Sequence, residues 1–195
     1  YETKTGEGAS FLELEEYFSS IWEENCVKAK KFSLKAEKKE MAEAKLLERY
    51  KEICEKYPKL SQTADTDWTE ETYPVESITL IHNGTRAEKH EPMMLFAMEK
   101  LLENGKDIFI QTPYVIADKA MYEVMEKAAS HADTRIILNA VEKGSNPWGC
   151  TDYLNNKKKI LGTGCSVYEL MNEAAVHTKT IVVDDRLSIV GSYNW

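Results

Sequence analysis

Apolar positions in this chain follow two different periods. In the first third they recur at helical spacing: Ser10 and Glu13 form a capping-box pair, and Phe11, Leu14, Phe18, Ile21 and Trp22 then fall on one face. A second helix is predicted over residues 34–57, with Leu46, Leu47, Tyr50, Ile53, Cys54 and Tyr57 along one stripe and Pro58 stopping it. From Tyr73 onward, strand-like runs alternate with helical periods. VESITLI (75–81) reads as a strand, EPMMLFAMEKLLENG (91–105) as a helix closed by Gly105, and DIFIQTPY (107–114) as a strand ending in a turn. The cycle repeats with a helix over 118–131, the strand TRIILNA (134–140), a glycine-terminated helix over 147–164 and the strand CSVYEL (165–170). TIVV and LSIV then predict a hairpin around Asp184, Asp185 and Arg186.

Strands interleaved with helices predict an α/β layered domain, preceded by an N-terminal helical segment. The polar stretch 57–74 divides the chain into a helical part, 1–72, and an α/β part, 73–195. A length of 195 residues suits one main domain with an appendage, and 43% hydrophobic with 30% charged residues is ordinary for a soluble fold. The net charge of −8 argues against a protein that grips nucleic acid over a wide surface. Cys26, Cys54, Cys150 and Cys165 lack CxxC spacing, so free thiols are expected. The longest run without a charged residue, 108–117, is far short of the roughly 20 residues of a membrane-spanning helix. The chain begins with Tyr1 and stops inside a motif, so it is expected to be a piece of a longer protein whose targeting signals would lie elsewhere.

The candidate chemistry lies in HTKTIVVDDRLSIVGSYNW (177–195). Side chains alternate along a strand, so His177 and Lys179 point the same way. A two-residue hairpin loop sets His177 across from Ser192 or Asn194 and leaves all four on one face; a three-residue loop reverses that parity. Imidazole, ammonium, hydroxyl and carboxamide together suit a phosphoryl group. The lysine and the amide hold non-bridging oxygens while a histidine nitrogen attacks phosphorus. That scheme needs no metal or other cofactor, and His82, His90 and His131 show no ligand spacing.

His177, Lys179, Asp184, Gly191, Ser192 and Asn194 match H-x-K-x(4)-D-x(6)-G-S-x-N, the HKD signature of the phospholipase D superfamily. With FIQTPYVIADKAMYEVM (109–125) before it, the stretch from about residue 75 to the end resembles the second catalytic half of bacterial cardiolipin synthase-like proteins. The resemblance implies a mixed β-sheet flanked by helices. It makes His177 a nucleophile that passes through a phosphohistidine, Lys179 and Asn194 phosphate ligands, Ser192 their neighbour in the pocket, and Asp184 a supporting, orienting residue of the catalytic set. It also implies a phosphatidylglycerol-like phospholipid substrate and, for the whole protein, association with the cytoplasmic side of a membrane. The family builds one site from two such motifs. The first is therefore expected upstream, with SFLELEEYFSSIW (10–22) as the tail of a preceding repeat, or on a second chain; the isolated piece would be soluble and catalytically incomplete.

Thr112, Pro113 and Tyr114, at a strand end, and Trp148, in SNPWGC (145–150), are candidates for the pocket wall, with a plain turn and core packing as the respective alternatives. The lysines between Lys28 and Lys39 read either as a contact for anionic head groups or as a solvated helix face, the second favoured because Glu37 interrupts them. Two rival functions stand beside the transferase or phosphodiesterase: an HKD nuclease completed by dimerisation, disfavoured by the acidic composition, and a non-catalytic repeat that scaffolds a partner.

Overall fold

The computed structural model describes residues 9–23, 33, 35–61, 67, 70, 72–84, 92–143, 146–171 and 175–195. They fall into two compact units that divide between Leu80 and Ile81. The first unit carries helices α1 (Ala9–Glu23) and α2 (Ala36–Lys56), the latter followed by a 3-10 turn, Pro58–Ser61. Both lie where helical periodicity places them. The α2 stripe is not buried, however: Leu46, Leu47 and Tyr50 are all more than half exposed. Ser10 sits inside the first turn of α1, and its hydroxyl donates to the Ile78 carbonyl. The strand expected at 75–81 does not form, because alternation supplies a face but no ladder partner; Val75 and Ile78 remain exposed.

The second unit contains α3 (Met93–Leu102), β1 (Asp107–Gln111), α4 (Lys119–His131), β2 (Asp133–Asn139), α5 (Pro147–Gly162), β3 (Ser166–Leu170), β4 (Thr180–Val183) and β5 (Leu187–Val190). The sheet order is β3-β2-β1-β4-β5, with β1, β2 and β3 parallel and β4 antiparallel to both β1 and β5. This is a mixed sheet with flanking helices, as expected. Ile108, Ile110, Ile136, Leu138, Ile181 and Val183 are buried from the strands, and Met98, Leu102, Met121, Val124, Met125 and Ile160 join them from the helices.

Caps explain the helix starts. Asp118 accepts from the Met121 N–H at 2.9 Å, and Asn146 from the Gly149 N–H at 3.3 Å, with Pro147 opening α5. Gly164, with φ +90, supplies the left-handed turn after α5. Gly105 closes α3, its N–H donating to the Leu102 carbonyl at 3.1 Å, and its smallness also lets the chain pass close to β4, since a Cβ there would lie 2.7 Å from Val183 Cγ1.

The hairpin departs from the two-residue expectation. Val183 pairs with Leu187, leaving three connecting residues, Asp184–Asp185–Arg186. Asp184 and Asp185 take φ 52 and φ 53, and the Arg186 N–H donates to the Val183 carbonyl at 3.0 Å. The extra residue reverses the pairing parity along β5.

Candidate functional site

Parallel strands end together, so the C-terminal ends of β1, β2 and β3 lie on one edge of the sheet. The antiparallel hairpin brings the start of β4 and the end of β5 to the same edge. Loops at this edge, in a sheet of this kind, commonly hold ligands. The residues before β4 include His177 and Lys179, and those after β5 run from Gly191 to Trp195.

His177 is exposed to solvent and Lys179 half-buried. Their side chains meet: Lys179 Nζ lies 3.3 Å from His177 Nδ1 and 3.4 Å from Nε2, and donates to the His177 carbonyl at 2.8 Å. The ring of Tyr114, just past β1, approaches His177 edge-on, with centroids 6.4 Å apart and planes at 76°. Gly149, in the first turn of α5, backs the Tyr114 ring so closely that a Cβ would fall 2.7 Å from its Cδ1. Trp148, beside Gly149, is 86% exposed. It belongs to a helical turn rather than to a loop or to the core.

The Gly191 N–H donates to the Lys179 carbonyl at 3.1 Å, which sets Gly191 across from Lys179. By strict alternation Ser192 and Asn194 would then face away, contrary to the shared face expected from a two-residue loop. The strand stops at Val190, however, and the chain bends inward after it: Ser192 is exposed, Asn194 is half-buried with Oδ1 inside and unpaired, and Trp195 is buried. Alternation does not apply past the bend. His177, Lys179, Ser192 and Asn194 thus share an edge of the sheet, and His177 and Lys179 are in contact.

Asp184 lies at the other end of β4, about 20 Å from His177 along an extended chain. Its Oδ1 accepts from the backbone N–H groups of Asp107 at 2.8 Å and Lys106 at 2.9 Å. Those two bonds hold its carboxyl below the usual carboxylate range, against a smaller opposing effect of burial. It does not join the His177 cluster; it ties the start of β1 to the hairpin turn. Thr112 is fully buried, with its hydroxyl donating to the Tyr114 carbonyl at 2.8 Å and accepting from the Trp195 N–H at 3.4 Å. It is a joint beneath the edge and offers nothing to a ligand.

Asn139, the last residue of β2, was not singled out by the sequence. It is 2% exposed; its amide donates to the Val176 carbonyl at 2.8 Å and its Oδ1 accepts from the Val176 N–H at 2.8 Å. An asparagine inside an apolar strand was the available signal.

Among the described residues no three His, Cys, Asp or Glu side chains cluster as metal ligands, and no helix is long and apolar enough to cross a membrane. Lys28, Lys30 and Lys31, like His90 and Cys26, lie outside the described residues; Lys35, Lys38 and Lys39 are exposed, Lys39 facing Glu43 at 3.6 Å.

A family described as "Cardiolipin synthase, PLD-like domain" matches residues 98–195, half of the chain. The chain is 34% identical over 98 residues to the major cardiolipin synthase ClsA of Bacillus subtilis (strain 168), covering 49% of this chain and 20% of that protein. It is 33% identical over 108 residues to a cardiolipin synthase of Staphylococcus aureus (strain Mu50), covering 55% and 21%. It therefore spans about a fifth of the length of these curated relatives. A solved phospholipase D family member, Nuc from Salmonella typhimurium, is similar at a TM-score of 0.41 and 18% identity, over 51% of this chain and 62% of that one. By the match over residues 98–195, this chain belongs to the family of cardiolipin synthase phospholipase D-like domains.

Proposed function

We propose that the chain supplies half of a phosphodiester-transfer site, acting on phosphatidylglycerol-type lipids in a cardiolipin synthase-like reaction. The observation that carries this reading is the contact of His177 with Lys179 at an edge of the sheet open to solvent. A nucleophile and a cation three ångströms apart can address one phosphate together.

In the first displacement a His177 ring nitrogen forms a bond to phosphorus while the bond to the departing ester oxygen breaks. Lys179, with Ser192 and Asn194, neutralises charge on the non-bridging oxygens. The departing alkoxide takes a proton from an acid on the complementary half-site. In the second displacement an alcohol oxygen attacks phosphorus and loses its proton to that same group, which frees His177; water in its place makes the reaction hydrolytic. Asp184 contributes by holding the hairpin against β1. Trp148 and Tyr114 form the wall beside His177, with the exposed indole facing the lipid.

The test is covalent trapping. Protein combined with its complementary half and incubated with phosphatidylglycerol labelled at the phosphate is expected to carry an acid-labile, base-stable label on His177. His177→Ala is expected to lose it. Label that persists in His177→Ala at unchanged yield would overturn the assignment, as would no label on the wild type.

A further inference from the structure

We infer that Asn139 is the positioning residue for His177, its side-chain amide standing in for a missing strand. This rests on reading His177 as the nucleophile. With the order β3-β2-β1-β4, the chain leaving β3 must cross the ends of β2 and β1 before it enters β4. Residues 175–179 make that crossing without belonging to a strand, and only the Lys179 carbonyl among them is met by the neighbouring chain, through the Gly191 N–H, so the ladder does not reach Val176. A backbone at a sheet edge still has to place its N–H and C=O groups.

Asn139 takes over that task. Its Oδ1 accepts from the Val176 N–H and its Nδ2 donates to the Val176 carbonyl, each at 2.8 Å, the paired donor and acceptor that a neighbouring strand would present. The same Nδ2 lies 3.5 Å from the Pro113 carbonyl, at the end of β1. At 2% exposure between Leu138 and Ala140, both buried, an uncompensated amide would be strongly disfavoured, so these bonds account for a polar residue there. The Val176 carbonyl belongs to the peptide that His177 follows. Fixing that oxygen fixes the peptide plane from which His177 departs, and the Lys179 ammonium on the His177 carbonyl secures the next plane. Only the rotations within His177 remain to aim its ring.

The experiment uses isotope-labelled chain, wild type and Asn139→Asp, followed by NMR. The substituted carboxylate still accepts from the Val176 N–H but cannot donate to its carbonyl until it is protonated. In Asn139→Asp, with β1–β2 amides still protected, the Val176 protection factor is expected to fall at least tenfold and the His177 ring resonances to shift or broaden. Lowering the pH until the new carboxyl protonates is expected to restore Val176 protection, a rescue that simple packing would not give. Unchanged Val176 protection and His177 resonances in a folded variant would overturn the inference. Should the variant not fold, the wild type decides: a Val176 amide exchanging as fast as an open loop is the refuting result, and strand-like protection supports the clamp. Titration of wild type with inorganic phosphate separates the two readings. Phosphate that leaves the His177 resonances unmoved counts against the phosphodiester site, while the Val176 measurements still judge the positioning.

Discussion

Gly149→Ala tests whether the wall behind His177 is as close-packed as described. A Cβ built at Gly149 lies 2.7 Å from Tyr114 Cδ1, 2.8 Å from Cε1 and 3.1 Å from Cγ, where ordinary contact begins at 3.4 Å. All three atoms belong to one rigid ring, so the ring has to retreat as a unit by about 0.7 Å. Overpacking of this kind costs about 1–3 kcal/mol. Against it stands the helix propensity of alanine over glycine, about 1 kcal/mol in a helix interior and less in this first turn. The costs exceed the gain, so Gly149→Ala is expected to lose about 1 kcal/mol in urea denaturation. The retreating ring also moves relative to His177, so the Tyr114–His177 proton contacts seen by NMR are expected to change. A variant at least as stable as wild type with those contacts intact would show that the ring is not pinned between Gly149 and His177.

Further outcomes follow from other parts of the structure. Lys179→Met removes the cation beside His177 and is expected to slow covalent labelling by about 10²- to 10³-fold, measured by quench kinetics; a loss below tenfold would remove Lys179 from the charge-stabilising role. Asp184 has a depressed folded-state pKa, so its stabilisation is present above the unfolded-state pKa and lost as pH falls through the folded value. Asp184→Ala is therefore expected to lower the unfolding midpoint at pH 7, with the difference from wild type shrinking in acid; a pH-independent difference would contradict the two backbone bonds. Glu169 accepts from Lys157 at 2.6 Å and from the buried Tyr153 hydroxyl at 2.8 Å, and Glu169→Ala, which orphans that hydroxyl, is expected to cost about 1–3 kcal/mol by chemical denaturation. Trp148→Ala is expected to change stability by less than about 0.5 kcal/mol while weakening adsorption to phosphatidylglycerol vesicles in a flotation assay; undiminished adsorption would remove Trp148 from the lipid-facing wall.

The elements legible in the sequence are those whose local signals agree with their tertiary setting. DIFIQ and TRIILN read as strands because parallel strands carry near-continuous apolar runs, and the helices read over 118–131 and 147–164 form where their periodicity places them. VESITLI has a strand's alternation but meets no partner edge, which its sequence does not reveal. The hairpin loop was ambiguous because Asp184 and Asp185 take positive φ without a glycine to mark the turn. His177 and Lys179 do meet, as alternation suggested, yet both lie before β4 begins at Thr180, and the register of Ser192 and Asn194 could not be read from the sequence. The structural task of Asp184 depends on Lys106 and Asp107, and that of Asn139 on Val176; neither partner is adjacent in sequence, so neither role leaves a local motif.

The β4–β5 hairpin joins the parallel strands through one ladder, in which Ile108 meets Val183 about seventy-five positions later in the chain. By contrast, β1, α4, β2, α5 and β3 are linked between neighbours in sequence and can form early. Docking of the β4–β5 hairpin against β1 is therefore expected to follow pairing of the parallel strands, and the stretch that carries His177 is expected to reach Asn139 and Tyr114 only when that hairpin docks.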